Sequence, residues 1–233
     1  LLELTFEEKD KAKAFFESLE KVDIKVLGER EELRNPPPPY RTDTMLKDAS
    51  DRYRFSLPKT MELAQSLFEW GFITYHRTDS VRVSDYGIAL AGEYIKEEFG
   101  KEYFSPRVWG EGGAHECIRP TKALEPEELR SLWLSGQLTV DGFSKDHLLL
   151  YELIFKRFMA SQMRPVKVKV IDVLIRAGDF EISRELVTDI LEDGWNRILR
   201  FELQPPLSGE LDVKDRKTLK VQPKAYLYTH GEL

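Results

Sequence analysis

The sequence predicts an α+β fold in which a mainly helical domain is inserted into a discontinuous, antiparallel, β-rich domain. Three observations carry this. Val22, Ile24 and Val26 alternate like a half-buried strand. Apolar residues then recur at helical spacing from Tyr40 to about Met163. After Arg164-Pro165 a two-residue period returns at Val166, Val168, Val170 and Leu174. Residues 1–35 and 161–233 are therefore expected to form the β-rich domain, and residues 36–160 the helical one.

Each element has a local signal. Thr5 and Glu8 have capping-box spacing ahead of a helix that uses Phe6, Phe15, Phe16 and Leu19 as its apolar positions. Pro36 to Pro39 break regular pairing and mark a domain edge. Pro58 suits a first helical turn, Met61, Ala64, Leu67 and Phe68 form one stripe, and Gly71 is a natural stop. Further helices are expected from Ser84 to Gly100, from near Pro126, and after Ser144, where Leu149, Leu153, Ile154 and Phe158 face a core. A glycine-rich loop, Trp109-Gly110-Glu111-Gly112-Gly113-Ala114-His115-Glu116, lies between the second and third of these. Beyond residue 165, Gly178, Gly194, Pro205, Pro206 and Gly209 punctuate short apolar runs.

Composition narrows the function. Charged residues make up 33% of the chain, against about 25% in an average domain. Abundant Lys and Glu suits a protein of a thermophile. One cysteine, Cys117, excludes an internal disulfide and a multi-cysteine zinc site, and fits a reducing cytoplasm. No apolar run approaches a membrane span, so no membrane partner is expected. The chain starts at Leu1 in what looks like a strand, as an excised fragment would. A net charge of −6 means that any nucleic-acid contact must be a local cluster of cations and polar donors.

Two segments could do chemistry. In an extended Ile73-Thr74-Tyr75-His76-Arg77-Thr78-Asp79-Ser80, the side chains of Tyr75, Arg77 and Asp79 share one face, and Thr74 and His76 the other. A tyrosine beside an arginine suits phosphoryl transfer. The phenol, with a pKa of about 10, needs help losing its proton, and a guanidinium can hold two phosphate oxygens while Asp79 holds Arg77. A packed strand tyrosine beside a surface ion pair fits the same residues, and packing is the commoner fate. In the second segment, Gly113 to Thr121, His115 and Arg119 could contact a phosphate, or His115 could merely cap a turn. The four histidines, at 76, 115, 147 and 230, have no metal-ligand spacing. Lys156, Arg157, Gln162 and Arg164 could track a nucleic-acid backbone or lie on a solvated helix face.

Three segments in register carry a resemblance. Pro38-Pro39-Tyr40-Arg41-Thr42-Asp43-Thr44-Met45-Leu46, with Lys59 to Gln65 leading into Ile73 to Ser80, resembles the active-tyrosine region of type IA DNA topoisomerases. Gly113-Ala114-His115-Glu116-Cys117-Ile118-Arg119-Pro120-Thr121 resembles their histidine loop, and Leu150 to Met163 the helix closing their gate domain. The histidine after Tyr75, the Trp109 to Gly113 lead-in and Cys117 look most like reverse gyrase, with topoisomerase I as the alternative.

The resemblance implies a transient 5′-phosphotyrosyl bond at Tyr75, stabilised by Arg77, with Asp79 and His115 supporting and Arg119, Thr121 and Gln162 at the DNA. It also implies a helical gate on a β-rich hinge, and single-stranded DNA as partner. Mg²⁺ is expected on a metal-binding domain preceding residue 1, because no matching acidic cluster occurs here. ATP would serve a helicase domain of the parent enzyme, since no Gly-x-x-x-x-Gly-Lys-Ser/Thr occurs. The chain alone is expected to be inert. A non-catalytic single-strand clamp is the competing reading. A tyrosine-recombinase order is disfavoured, because Tyr75 precedes both loops.

Overall fold

The structure, a computed structural model, describes residues 4–111, 115–200 and 202–214. These divide into two compact units. The described parts of Leu1–Arg30, Lys169–Asp189 and Leu203–Leu233 form a β-rich unit, and those of Glu31–Val168 and Ile190–Glu202 a helical one.

Four strands, β1 (Lys21–Arg34), β2 (Val166–Ala177), β3 (Phe180–Glu192) and β4 (Gly209–Asp212), form one sheet in the order β3-β2-β1-β4. β1 and β4 run antiparallel, with Lys21 opposite Asp212 and Ile24 opposite Gly209. β2 and β3 form a hairpin through Gly178-Asp179, where Gly178 takes the left-handed φ of 58°. Helix α1 (Lys9–Ser18) sets Phe15, with Leu19 just beyond it, against Val22, Ile24, Ile171, Val173 and Ala177 in this unit's core. Cross-strand pairs such as Lys169–Glu29 at 2.8 Å and Arg30–Asp172 at 2.6 Å lie between β1 and β2.

Three local expectations need correction. The Thr5–Glu8 box does not form: α1 starts at Lys9, Glu8 is its N-cap without a side-chain cap, and the Glu8 carboxylate pairs with Lys11. Val26 is 44% exposed, because burial along β1 ends at Ile24 and Lys25 to Glu29 all lie open to solvent. Leu174 is only half-buried. Val170 and Ile171 are both buried, which shifts the phase of β2 by one residue, as a bulge does.

The helical unit is built around α6 (Lys145–Ser161), which packs against α2 (Thr42–Tyr53), α3 (Leu57–Glu69), α4 (Asp85–Glu98) and α5 (Pro126–Leu134). It buries Leu150, Tyr151, Ile154, Phe155, Phe158 and Met159 almost completely. The expected starts hold: Pro58 sits in the first turn of α3, and α4 and α6 begin just after Ser84 and Ser144. The structure adds that Ser56, Ser84 and Ser144 are N-caps whose hydroxyls accept backbone N–H groups. Gly71, with φ of 76°, lets the chain leave α3. Phe158→Ala, which opens a large void in the centre of this unit, is expected to cost about 3–5 kcal/mol. Urea unfolding measures it, and a loss under about 1 kcal/mol would mean that the site collapses around the void.

Candidate active site

The segment after α3 is not evenly extended, since it bends at Thr74, His76 and Arg77, yet its side chains from Tyr75 to Asp79 alternate between exposed and buried as a two-residue period would. Tyr75, Arg77 and Asp79 are exposed, while His76 and Thr78 are buried. Hydrogen bonds from both sides hold it. At the start of α2, the Thr42 N–H donates to the Thr78 carbonyl (2.9 Å). The Thr42 hydroxyl donates to the His76 carbonyl (2.7 Å) and accepts the Thr78 N–H (2.9 Å).

On the other flank the two chemistry-bearing segments meet. The Thr74 N–H donates to the Arg119 carbonyl (2.9 Å), its hydroxyl donates to the Cys117 carbonyl (2.8 Å), and that hydroxyl accepts the Arg119 N–H (3.0 Å). The Thr121 N–H reaches the Phe72 carbonyl (3.1 Å), and its hydroxyl the Gly71 carbonyl (2.5 Å). His115 is thereby delivered beside Tyr75, with ring centroids 6.1 Å apart. Gly112, Gly113 and Ala114, part of the expected loop, lie outside the described residues.

Tyr75 is 42% exposed. Its ring stands edge-on to Phe68 of α3 at 5.3 Å and tilted to His76 at 5.6 Å. Beside it opens a cleft of about 650 Å³ lined by Arg41, Asp43, Leu46, Arg77, Asp79 and His115, with Thr42 and Thr78 at its floor. Arg77 makes no hydrogen bond or ion pair among the described residues, so its fork is free for an anion. Asp79 does not pair with Arg77; its field acts on Arg41, across the same cleft. His76 is fully buried, and among the described residues neither ring nitrogen finds a partner. Burial, with Arg77 adding and Glu69 opposing, pushes its imidazole below the ordinary value. Keeping His76 neutral favours the folded state fully above the ordinary imidazole pKa, and this fades as pH falls through the lowered folded value.

Arg119 is placed beneath the site rather than in it. It is 5% exposed, and its guanidinium donates to both Glu116 oxygens (2.9 and 2.8 Å) and to the Pro120 carbonyl (2.9 Å). Glu116 also accepts the Ser84 hydroxyl at 2.7 Å. Burial alone would raise this carboxyl, but the hydrogen bonds from Arg119 and Ser84 outweigh it and hold it below its usual range. Gly87 leaves room for the pair: a Cβ there would lie 2.9 Å from Arg119 Nε. Cys117, buried between these residues, has its thiol pushed up to about 12 by desolvation.

Gln162 is fully buried away from this cleft and brackets Arg107, accepting its N–H (2.9 Å) and donating to its carbonyl (3.0 Å). The basic residues around α6 are likewise engaged. Lys156 pairs with Glu152, Arg157 donates to the Pro38 carbonyl (2.7 Å) and lies 3.3 Å from Asp48, and Arg164 stacks on Tyr103. Arg41, Thr42, Phe68 and His76 were not singled out for the site by residue type, because their roles arise only once α2 and α3 flank the tyrosine segment. Among the described residues, no group of three or more His, Cys, Asp or Glu is placed to hold a metal ion, and no helix is long and apolar enough to cross a membrane.

A family profile described as DNA topoisomerase matches residues 2–226. The chain is 63% identical to reverse gyrase 1 of Aquifex aeolicus over 98% of its own length and 20% of that protein's. It is 46% identical to the reverse gyrase of Pyrococcus furiosus over 92% of its own length and 18% of the other's. The chain thus spans about a fifth of the length of these relatives. Among solved structures, full-length topoisomerase I from Thermotoga maritima superposes with a TM-score of 0.58 and 32% identity, covering 91% of this chain and 36% of that one.

Proposed function

Because this chain belongs to the type IA DNA topoisomerase family, we propose that it is the nucleophile-bearing part of a reverse gyrase, which cuts one DNA strand, passes a strand through the break and rejoins it. The observation that carries this is the exposed Tyr75 phenol beside His115, next to a cleft lined by His115 and by Arg77, which makes no ion pair among the described residues.

The chemistry follows from those positions. Tyr75 Oη attacks the phosphorus of a single-stranded phosphodiester as the phenolic proton leaves. The new Oη–P bond replaces the P–O3′ bond, and the released 3′ oxygen takes up a proton. Arg77, held outward by the alternation of its segment, binds non-bridging oxygens as charge builds on them. His115 donates to the same phosphate. One phosphoester replaces another, so the reverse attack by the 3′ hydroxyl restores the strand without an external energy source. Asp79 tunes the cleft field, while Arg119 and Thr121 fix the loop that presents His115.

Magnesium fits poorly on the residues present, since the cleft carboxylates are Asp43, taken by Arg41, and a lone Asp79. We assign the metal, and ATP, to other segments of the parent polypeptide, which acts in the cytoplasm of a thermophile. The isolated chain is then inert. The test is to quench a cleavage reaction of the complete polypeptide with denaturant, digest it with protease and locate the adduct by mass spectrometry. The expected product is a 5′-phosphonucleotide on the peptide containing Tyr75. An adduct on another tyrosine, on the 3′ side of the break, or formed by this chain alone would overturn the proposal.

A further inference from the structure

The cleft beside Tyr75 holds a second guanidinium. Arg41 precedes α2, and its side chain is 45% exposed. Its fork is closed by one carboxylate: Nε lies 2.7 Å from one Asp43 oxygen and Nη2 2.8 Å from the other. This two-toothed grip is the geometry with which arginine holds a phosphate. Asp43 is itself 62% exposed, and besides Arg41 it is met by backbone N–H groups of the first turn of α2. Tyr75 is not among the residues lining the cleft, which extends from Arg77 and His115 toward Arg41 and Leu46. A strand whose scissile phosphate faces Tyr75 would therefore carry a neighbouring phosphate past Arg41.

We propose that Arg41 is a second phosphate clamp, binding a phosphodiester beside the one that is cleaved, and that Asp43 occupies its fork until DNA displaces it. This rests on the single-strand-cleaving function proposed above. The roles follow from charge. Arg41 supplies a bidentate donor that Asp43 keeps oriented, and Asp43 sets a threshold, because an incoming phosphate must compete with a carboxylate for the same two N–H groups. Asp79 adds a second negative charge that the phosphate must offset.

The test measures binding of a mixed-sequence single-stranded oligodeoxynucleotide to the complete polypeptide across a salt series. Arg41→Gln is expected to weaken binding and to flatten the slope of log K against log salt by about 0.7, the value for one lost single-strand phosphate contact. Asp43→Asn keeps the shape of this first-turn side chain but removes the charge that closes the fork, and should tighten binding roughly fivefold, since one nearby charge in water is worth about that factor. Opposite signs for these two variants support the clamp. Weakening by both, with matching losses of thermal stability, would make the pair a structural cap and overturn it; so would an unchanged slope in Arg41→Gln. Neutral methylphosphonates placed one at a time along the oligonucleotide locate the contact. Arg41→Gln should lose its effect at one phosphate next to the scissile position, and loss at the scissile phosphate itself would overturn the proposal. The Tyr75 adduct reports the function separately, so the clamp can fail while that function stands.

Discussion

Tyr75→Phe is expected to lower covalent trapping of DNA by the complete polypeptide on the order of 10⁴-fold or more, as removal of an enzyme nucleophile does. The variant is clean because the Tyr75 hydroxyl makes no hydrogen bond among the described residues, so nothing in the fold is orphaned. The phenyl ring keeps its edge-on contact with Phe68 and its neighbour His115. Thermal stability and single-strand affinity should therefore stay within about 0.5 kcal/mol and about twofold of the parent. Denaturing gels with end-labelled DNA measure trapping, and fluorescence anisotropy measures affinity. Trapping near the parent level would refute Tyr75 as nucleophile. Parallel losses of affinity and trapping would favour a single-strand clamp whose tyrosine only stacks.

The second large effect lies beneath the site. Glu116→Ala removes the carboxylate that, among the described residues, pairs with a guanidinium that is 6% exposed, leaving Arg119 charged and buried. Breaking such a pair from one side costs about 3–5 kcal/mol. Because Glu116 keeps 23% of its side-chain surface, the lower end of that range is expected. The pH dependence has a definite sign. Hydrogen bonds from Arg119 and Ser84 hold the folded carboxyl below its unfolded value, so its contribution is complete above the unfolded glutamate pKa, about 4.3, and is lost as pH falls through the depressed folded value. The stability gap between parent and variant should be flat near neutrality and close in acid. The double variant Glu116→Leu, Arg119→Met should recover most of the loss, since two well-packed apolar side chains replace a buried pair at little cost. A double variant as unstable as Glu116→Ala would place the penalty in shape rather than charge.

The sequence signalled these features unevenly. The outward set Tyr75, Arg77 and Asp79 was legible because the two-residue alternation persists even though the backbone bends at His76 and Arg77. The helix starts at Pro58, Ser84 and Ser144 were legible because their signals are local: each capping hydroxyl meets an N–H three residues on. Arg119 was legible as a cation but not as a buried one, because its burial depends on α4 packing with a glycine at position 87. Thr42 reaches across 34 residues to the His76 carbonyl, and Arg41 enters the cleft only when α2 folds against that segment. No local pattern encodes such distances. The Thr5–Glu8 spacing shows the converse, a local pattern that nothing downstream used.

The hydrogen bonds that Thr42, Thr74 and Thr121 make around the tyrosine segment have a mechanical consequence. On the proposed function, a severed strand bonded to Tyr75 would be cargo bolted to the helical unit, not a tether on a loose loop. Any movement of that unit would carry the 5′ end with it in a fixed pose. Rejoining would then require the return of a stiff body to one position rather than recapture of a free end, with its fidelity set by stiffness. Softening any one of these threonine joints should show up first as breaks left unsealed, before it shows up as slower cutting.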